Sequence, residues 1–429
     1  MNGYSYMNID DSTHDLYEYI NKSLNKQPLK NSNDEPTPTE CIEEMVDVIP
    51  KELWKRKDLR ILDPCCGFGN FFAVIFQKLK EHHEVKDILE NILHFNDTNV
   101  DRLKVVREIF KANRYSLQVS NDNFLLKPDH YKYDLVVANP PYAKLTEDGK
   151  RASKNHNLIK DFIRKTLEVL KPGGYLLFIT PDNWMSLADR NTLIKEITRL
   201  QIIHLDIHSA KKHFKKVGSS FTWYCIQNVG AKKDFTVTGI WNKKEYTSIV
   251  KSQERSFIPL VYTDKIQSIC NKVFNSNFPK FGVETSSDLH KYTKKDLIST
   301  ENDKDHPYKL IHTPKQTVYS TRPHKFQEGY KVFISTTDKY STFVDNCGMT
   351  QSIAFIRCET EDDAKRVKSV LDHPLFVFLN NICRWGNFNN VRILQSFPVP
   401  ENTNDILGCF KLTQEEINII YNDTIRNTL

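Results

Sequence analysis

From about residue 59 onward, short apolar runs alternate with stretches of helical spacing. The runs Arg60–Leu62, Ile92–Phe95, Leu135–Ala138, Tyr175–Thr180 and Ile202–Ile207 are of strand length and mostly apolar, as expected of strands buried in a parallel sheet. The stretch Leu158–Leu170 has apolar residues at 158, 159, 162, 167 and 170, a helical period, and stops at Lys171-Pro172-Gly173-Gly174, a helix-end and turn signal. Strands alternating with helices predict an α/β domain with crossover helices. Phe221–Gln227 and Phe235–Trp241 read as an antiparallel pair that closes the sheet edge.

After Asn242 the pattern changes. Polar connections dominate, broken by strand-like runs at Lys331–Ser335 and Ile353–Arg357, a helical stretch at Asp362–Leu371 interrupted before Pro374, and an apolar run Leu375–Ile382. This predicts a second, mixed α+β domain. The expected organisation is an N-terminal arm over 1–35, ordered in part at most, a first domain over 36–241, a second over 242–400 and a tail over 401–429.

Composition narrows the function classes. The 429 residues are 39% apolar, enough for two cores, yet no run approaches the ~18 apolar residues of a membrane span. Met1–Asp15 is polar and acidic, unlike a signal peptide. The nine cysteines include no Cys-x-x-Cys spacing, and Cys65 is adjacent to Cys66, which suits neither a disulfide framework nor a zinc site. Reduced thiols and a cytoplasmic location are expected, with no metal and no membrane partner. The net charge of +6 is uneven: residues 1–50 carry 3 basic and 10 acidic side chains, whereas 151–250 carry 17 basic and 8 acidic. A basic middle suits a polyanion-binding face; a lysine-rich solvated surface would look the same on charge alone.

The candidate chemistry lies where apolar runs end. Asp134-Leu135-Val136-Val137-Ala138-Asn139-Pro140-Pro141-Tyr142 is a buried run stopped by two prolines. It leaves one amide, one proline carbonyl and one aromatic ring at a strand's carboxyl end, where open α/β sheets bind ligands. Two acceptors and a π-face suit a planar amine; the bare tetrapeptide is also compatible with a surface turn. The second anchor is Ile61-Leu62-Asp63-Pro64-Cys65-Cys66-Gly67-Phe68-Gly69-Asn70-Phe71. A dinucleotide fingerprint needs a third glycine near position 72, which is Phe here. An acid at 63 repels pyrophosphate and attracts an ammonium, favouring a cofactor with an amino-acid head, such as S-adenosylmethionine. Asp97 ends the second run, where a carboxylate can take ribose hydroxyls; its distance from Gly69 predicts a long intervening helix. Asp122-Asn123-Phe124 offers a polar group for an adenine amine and a ring to stack on it.

These motifs in this order resemble gamma-class DNA adenine-N6 methyltransferases, the amino-methyltransferases of restriction–modification systems. The resemblance adds Thr37-Pro38-Thr39-Glu40 with Met45 ahead of the glycine turn, and Asn157-Leu158 and Lys171-Pro172-Gly173-Gly174 after Asn-Pro-Pro-Tyr. It covers about 36–230 well and 231–400 in general shape. It implies a Rossmann-like seven-stranded methyltransferase domain followed by an α+β target-recognition domain, using S-adenosylmethionine on double-stranded DNA, as a monomer, beside a separate cognate restriction endonuclease. By resemblance, Thr37 helps bind the methionine carboxylate and Asp63 the amino group. Gly67 and Gly69 allow close backbone approach, Asp97 holds the ribose, and Asp122 or Asn123 takes the adenine amine with Phe124 stacking. An aromatic among Phe221, Trp223 and Tyr224 packs on the flipped base; Tyr224 fits best by its offset from Lys215-Lys216-Val217, with Trp223 as an alternative.

The implied mechanism has the Asn139 oxygen and the Pro140 carbonyl accept both hydrogens of the target amine, with Pro141 holding the turn. The amine nitrogen is thereby drawn toward tetrahedral geometry, and positioning supplies much of the acceleration. In a duplex the base must be flipped, with Tyr142 replacing its lost stacking. Arg384, Asn387 and Asn390, near Trp385, are candidate DNA contacts. Release-factor glutamine, RNA and cytosine-N4 methyltransferases share the motif, and a non-catalytic DNA-binding subunit could share the fold.

Overall fold

The computed structural model describes residues 36–126, 132–142, 158–189, 191–214, 220–337, 339–386 and 388–428; the arm over 1–35, Asn157, Lys215-Lys216-Val217 and Asn387 lie outside them. The chain divides into two compact units. The first runs to Asp182 and adds Thr192–Ile240 and Glu245–Arg255; the second takes Asn183–Asn191, Trp241–Lys244 and Ser256 onward.

The first unit is built on strands β1 (Ile61–Asp63), β2 (Leu93–Asn96), β3 (Gln118–Ser120), β4 (Tyr133–Ala138), β5 (Leu170–Pro181), β6 (Leu200–Ile207), β7 (Phe221–Gly230), β8 (Phe235–Trp241) and β9 (Lys244–Val250). They form one sheet in the order β3-β2-β1-β4-β5-β7-β6-β8-β9. From β3 to β5 all neighbours are parallel. The order turns at β1, with β2 on one side and β4 on the other, which is the switch point where open α/β sheets take their ligands.

Three expectations are corrected. The Phe221–Gln227 and Phe235–Trp241 pair does not close the edge: β7 is antiparallel but lies between β5 and β6, and β8 pairs parallel with β6. The burial explains this, because Phe221–Ile226 is buried at every position, which requires cover on both faces, whereas β8 alternates. Lys171–Gly174 follows the end of the helix at Val169, as read, but is not a free turn. It bulges within β5, between the pairs Tyr133–Leu170 and Leu135–Tyr175. The helix after the glycine turn is not long: α2 (Asn70–Leu79) is followed by Val85–Asp87 and a π-helical turn at Ile88–Ile92.

The N-terminal helix α1 (Thr39–Asp47), α2 and α3 (Val100–Ile109) share one core with the sheet, joining Ile42, Met45, Phe72, Phe76, Leu103 and Val106 to Leu135, Val137, Leu177 and Trp223. Asn99 caps α3 by accepting from the backbone N–H groups of Asp101 and Arg102, satisfying two donors that a helix start leaves open. The helix predicted over 158–170 is α4, Ile159–Val169.

The second unit holds two four-stranded sheets. One orders Glu284–Thr285, Ile353–Arg357, Lys331–Ser335 and Thr342–Asp345; the other orders Ile298–Ser299, Gln316–Ser320, Tyr308–Thr313 and Gly348–Met349. Helices Glu361–Leu371 and Pro374–Ile382 stand where the apolar pattern put them. The segment 401–429 is more than a tail, since it carries a helix at Gln414–Thr428. Lys265 and Lys272 pair with Glu415 and Glu416 of that helix at 2.5 and 2.7 Å.

Among the described residues no helix is long and apolar enough to cross a membrane, and no cluster of His, Cys, Asp and Glu has metal-site spacing.

Candidate active site

The site is built at the carboxyl ends of β1, β2 and β4. After β1 the chain turns through Gly67 and Gly69, with φ of +57° and +90°, a region that side chains with a Cβ disfavour. A Cβ on Gly67 would meet nothing within 4 Å, whereas one on Gly69 would lie 2.7 Å from the Phe110 ring. Gly67 thus keeps the mouth of the turn open, and Gly69 lets α2 start close against the end of α3.

Two carboxylates flank this turn. Asp97 accepts from the Gly67 backbone N–H at 2.8 Å and from that of Asn99, also at 2.8 Å. Asp63 accepts from the Cys65 N–H at 3.1 Å. Asp63 is 2% exposed and Asp97 5%. Burial, only partly offset by the Cys65 N–H, pushes the Asp63 carboxyl well above its ordinary range, and the Asp97 charge adds to the effect. A buried carboxyl raised in this way is short of positive charge. An ammonium group fits that deficit, and a pyrophosphate does not.

Asn96, which sequence reasoning passed over, ties these ends together. Its amide donates to the carbonyls of Pro64 (2.8 Å) and Asp122 (3.0 Å), and its oxygen accepts from the Ser120 hydroxyl (2.8 Å) and the Asp122 N–H (3.1 Å). The available signal was a polar residue closing the run Ile92–Phe95 beside Asp97. Asp122 therefore has its backbone fixed, while the Asn123 side-chain oxygen accepts from the Leu125 N–H at 3.1 Å and closes its own turn. The Phe124 ring stacks on Phe162 of α4, with centroids 5.8 Å apart.

The Asn-Pro-Pro-Tyr turn follows β4. Asn139 donates its side-chain N–H to the Thr37 hydroxyl at 3.1 Å, and its side-chain oxygen accepts from the Tyr142 hydroxyl at 2.5 Å. Thr37, 102 positions away in sequence, is held in turn by the Asn70 amide, which donates to its carbonyl at 3.3 Å. The Cys65 thiol donates to the Asn139 backbone carbonyl at 3.7 Å, linking this turn to the glycine turn. Pro140 is buried and Pro141 exposed.

Among the aromatic candidates, the ring brought against Tyr142 is Phe221, at 6.2 Å between centroids, and Phe214 packs on Phe221 at 4.8 Å. Trp223 instead stacks face to face on His204 at 4.5 Å, and Tyr224, on the other face of β7, is fully buried. In the second unit, the Trp385 indole donates to the Ile258 carbonyl at 2.8 Å and the Asn390 amide to that of Leu187 at 2.9 Å, so both residues serve their own unit's packing.

Residues 42–214 match the family described as Eco57I restriction-modification methylase. The chain is similar to the type I restriction enzyme EcoEI methylase subunit of Escherichia coli, at 26% identity over 43% of this chain and 39% of that protein. It is also similar to the type II methyltransferase M.VspI of a Vibrio strain, at 25% identity over 44% and 46%. The matched part thus spans less than half the length of either relative. In fold, the chain resembles a nuclease-deletion mutant of the Type ISP restriction-modification enzyme LlaGI, with a TM-score of 0.56 at 12% identity over 92% of this chain and 56% of that one. The DrdV enzyme of a DrdV–DNA complex gives 0.55 at 12% identity over 93% and 59%. The match to the Eco57I restriction-modification methylase family thus falls on the part of the chain that carries the buried acids and the open glycine turn at the switch point of the α/β sheet.

Proposed function

We propose that the protein transfers a methyl group from S-adenosylmethionine to the N6 amine of an adenine flipped out of double-stranded DNA. The observation that carries this reading is the Asn139 amide, fixed at the end of β4 and tied through Cys65 to a turn whose buried Asp63 is short of positive charge. In this reading Asp63 would take the cofactor's ammonium, Asp97 the ribose hydroxyls, and Asp122 or Asn123 the adenine amine. The cofactor supplies an electrophilic sulfonium methyl.

The protein's own part is positioning. The Asn139 oxygen and the Pro140 carbonyl accept the two amine hydrogens and free the nitrogen's lone pair. That oxygen also accepts from the Tyr142 hydroxyl, and its second lone pair can take the incoming amine. The Tyr142 ring would replace the stacking lost on flipping, with Phe221 behind it. Nothing in this geometry favours Trp223 or Tyr224 in that role. The basic surplus over 151–250 would hold phosphates and make affinity salt-dependent. The second unit would read the recognition sequence in the grooves, and a cognate restriction endonuclease would be the partner.

The test is transfer of labelled methyl to unmethylated DNA, followed by nucleoside mass spectrometry. N6-methyladenine is expected. Label on RNA or on a glutamine-bearing protein would keep the cofactor and overturn the substrate. Asn139→Ala should lower kcat by about a thousandfold, the scale for losing a preorganised polar group at the reacting atom, with cofactor affinity nearly unchanged. A normal rate in that variant would refute the mechanism.

A further inference from the structure

We infer that Thr37 is a positioning residue for the Asn139 amide: its hydroxyl decides which end of that amide faces the target nitrogen. The inference rests on the methyltransferase reading above. The torsion that turns an asparagine amide about its last bond is broad and nearly two-fold, so Asn139 alone does not select an orientation. Presented with its NH2 group forward, it would place two donors against a donor amine.

Thr37 breaks that symmetry. Its hydroxyl lies 3.1 Å from the Asn139 side-chain nitrogen, and the threonine is 3% exposed, so water does not compete freely for the contact. Its backbone is anchored independently, by Asn70 at the start of α2. With the NH2 group held there, the amide oxygen is directed to the other side, where it accepts from the Tyr142 hydroxyl. Thr37 and Tyr142 thus grip opposite ends of one amide. The two grips differ, because Tyr142 bonds the oxygen the substrate needs, while Thr37 bonds only the donor the substrate does not use.

By resemblance, Thr37 binds the methionine carboxylate. The two roles use different atoms of one hydroxyl, since the oxygen accepts from Asn139 and the proton remains to be donated. They separate experimentally. The hydroxyl is removed without loss of shape by Thr37→Val and retained by Thr37→Ser. Each variant is compared with the wild type in steady-state methylation of a DNA substrate and in calorimetric binding of S-adenosylmethionine.

The expected result for Thr37→Val is a kcat about tenfold lower at saturating S-adenosylmethionine, the scale of one hydrogen bond that fixes a reacting group, whereas loss of the proton donated to the methionine carboxylate is read separately, as a raised cofactor Kd. Thr37→Ser should return kcat to within about threefold of wild type. An unchanged kcat in Thr37→Val overturns the inference, whether or not cofactor affinity falls. A serine variant as slow as the valine variant also overturns it, because packing would then be the cause. If wild-type protein labels no DNA at all, the functional reading fails first and takes this inference with it.

Discussion

Two buried aspartates on neighbouring strands of the same sheet have opposite surroundings. Asp134, near the start of β4, is fully buried and surrounded by partners. It accepts from Arg56 at 2.9 Å, from Lys171 at 2.8 Å and from the Arg60 backbone N–H at 3.0 Å. Asp63, at the far end of adjacent β1, is also buried, but no Arg or Lys among the described residues acts on it; Asp97 instead adds a second negative charge. The difference separates structure from function. A buried acid with two cations holds the chain together, and in the proposed reading one with no cation among the described residues is the place for a ligand's positive charge.

The largest effect should come from removing the charge at Asp63. Asp63→Asn should weaken S-adenosylmethionine binding by at least about thirtyfold, since losing one partner of a buried charge pair costs about 2–5 kcal/mol. The same substitution should raise the melting temperature of the ligand-free protein, because the asparagine carries no buried charge. A variant that binds normally would show that Asp63 is only another structural acid.

At the other pole, Asp134→Asn should destabilise the first unit by about 3 kcal/mol, the lower end for breaking a buried pair. Arg56 and Lys171 reach solvent in part and can rehydrate. Denaturant unfolding measures it, and cofactor affinity at temperatures where the variant is folded should not change.

pH sharpens the contrast. Because the Asp63 carboxyl is raised on folding, protonation favours the folded ligand-free state. That contribution is present below the unfolded value and is lost as pH rises through the raised one. Cofactor affinity should run the opposite way, strengthening as pH rises and Asp63 ionises. Asp63→Asn should flatten this dependence in both measurements.

The smallest effect is in the second unit. Asp288 bonds Arg322 through both oxygens, at 2.8 and 3.3 Å, and accepts from the Lys325 N–H at 2.9 Å. The Arg322 guanidinium holds its carboxyl down at about 2. Its stabilisation is therefore present above the unfolded value and lost as pH falls toward about 2. Arg322→Ala should cost about 1 kcal/mol, since the guanidinium is partly exposed, read as a lower acid-unfolding resistance.

Much of this protein was legible in its sequence. Strand-length apolar runs, a Pro-Gly-Gly stop and an Asn-Pro-Pro-Tyr turn are local signals, and local sterics carry them into β1, β4, β5 and α4. The acids at strand ends were legible for the same reason, because a charged residue that closes a buried run must meet water, a partner or a ligand. The helix Gln414–Thr428, read as tail, and the helix Asp264–Phe274 were missed. In the second, Ile266, Ile269, Cys270 and Val273 recur at helical spacing and were a legible signal.

What only the tertiary structure decided is which residues meet. Whether β7 lies inside the sheet or at its edge depends on what covers its faces. Trp223 and Phe221 share a face of β7, yet Trp223 stacks on His204 and Phe221 meets Tyr142. Asp63 and Asp134 are the same residue type, each beside an apolar run, and only the fold brings Arg56 and Lys171 to one and, among the described residues, no cation to the other. The contact between Thr37 and Asn139 spans a separation over which no periodicity or turn rule acts. Chemistry of single residues is written in the chain, whereas pairing is a property of the packed sheet, where burial gives each unpaired charge its meaning.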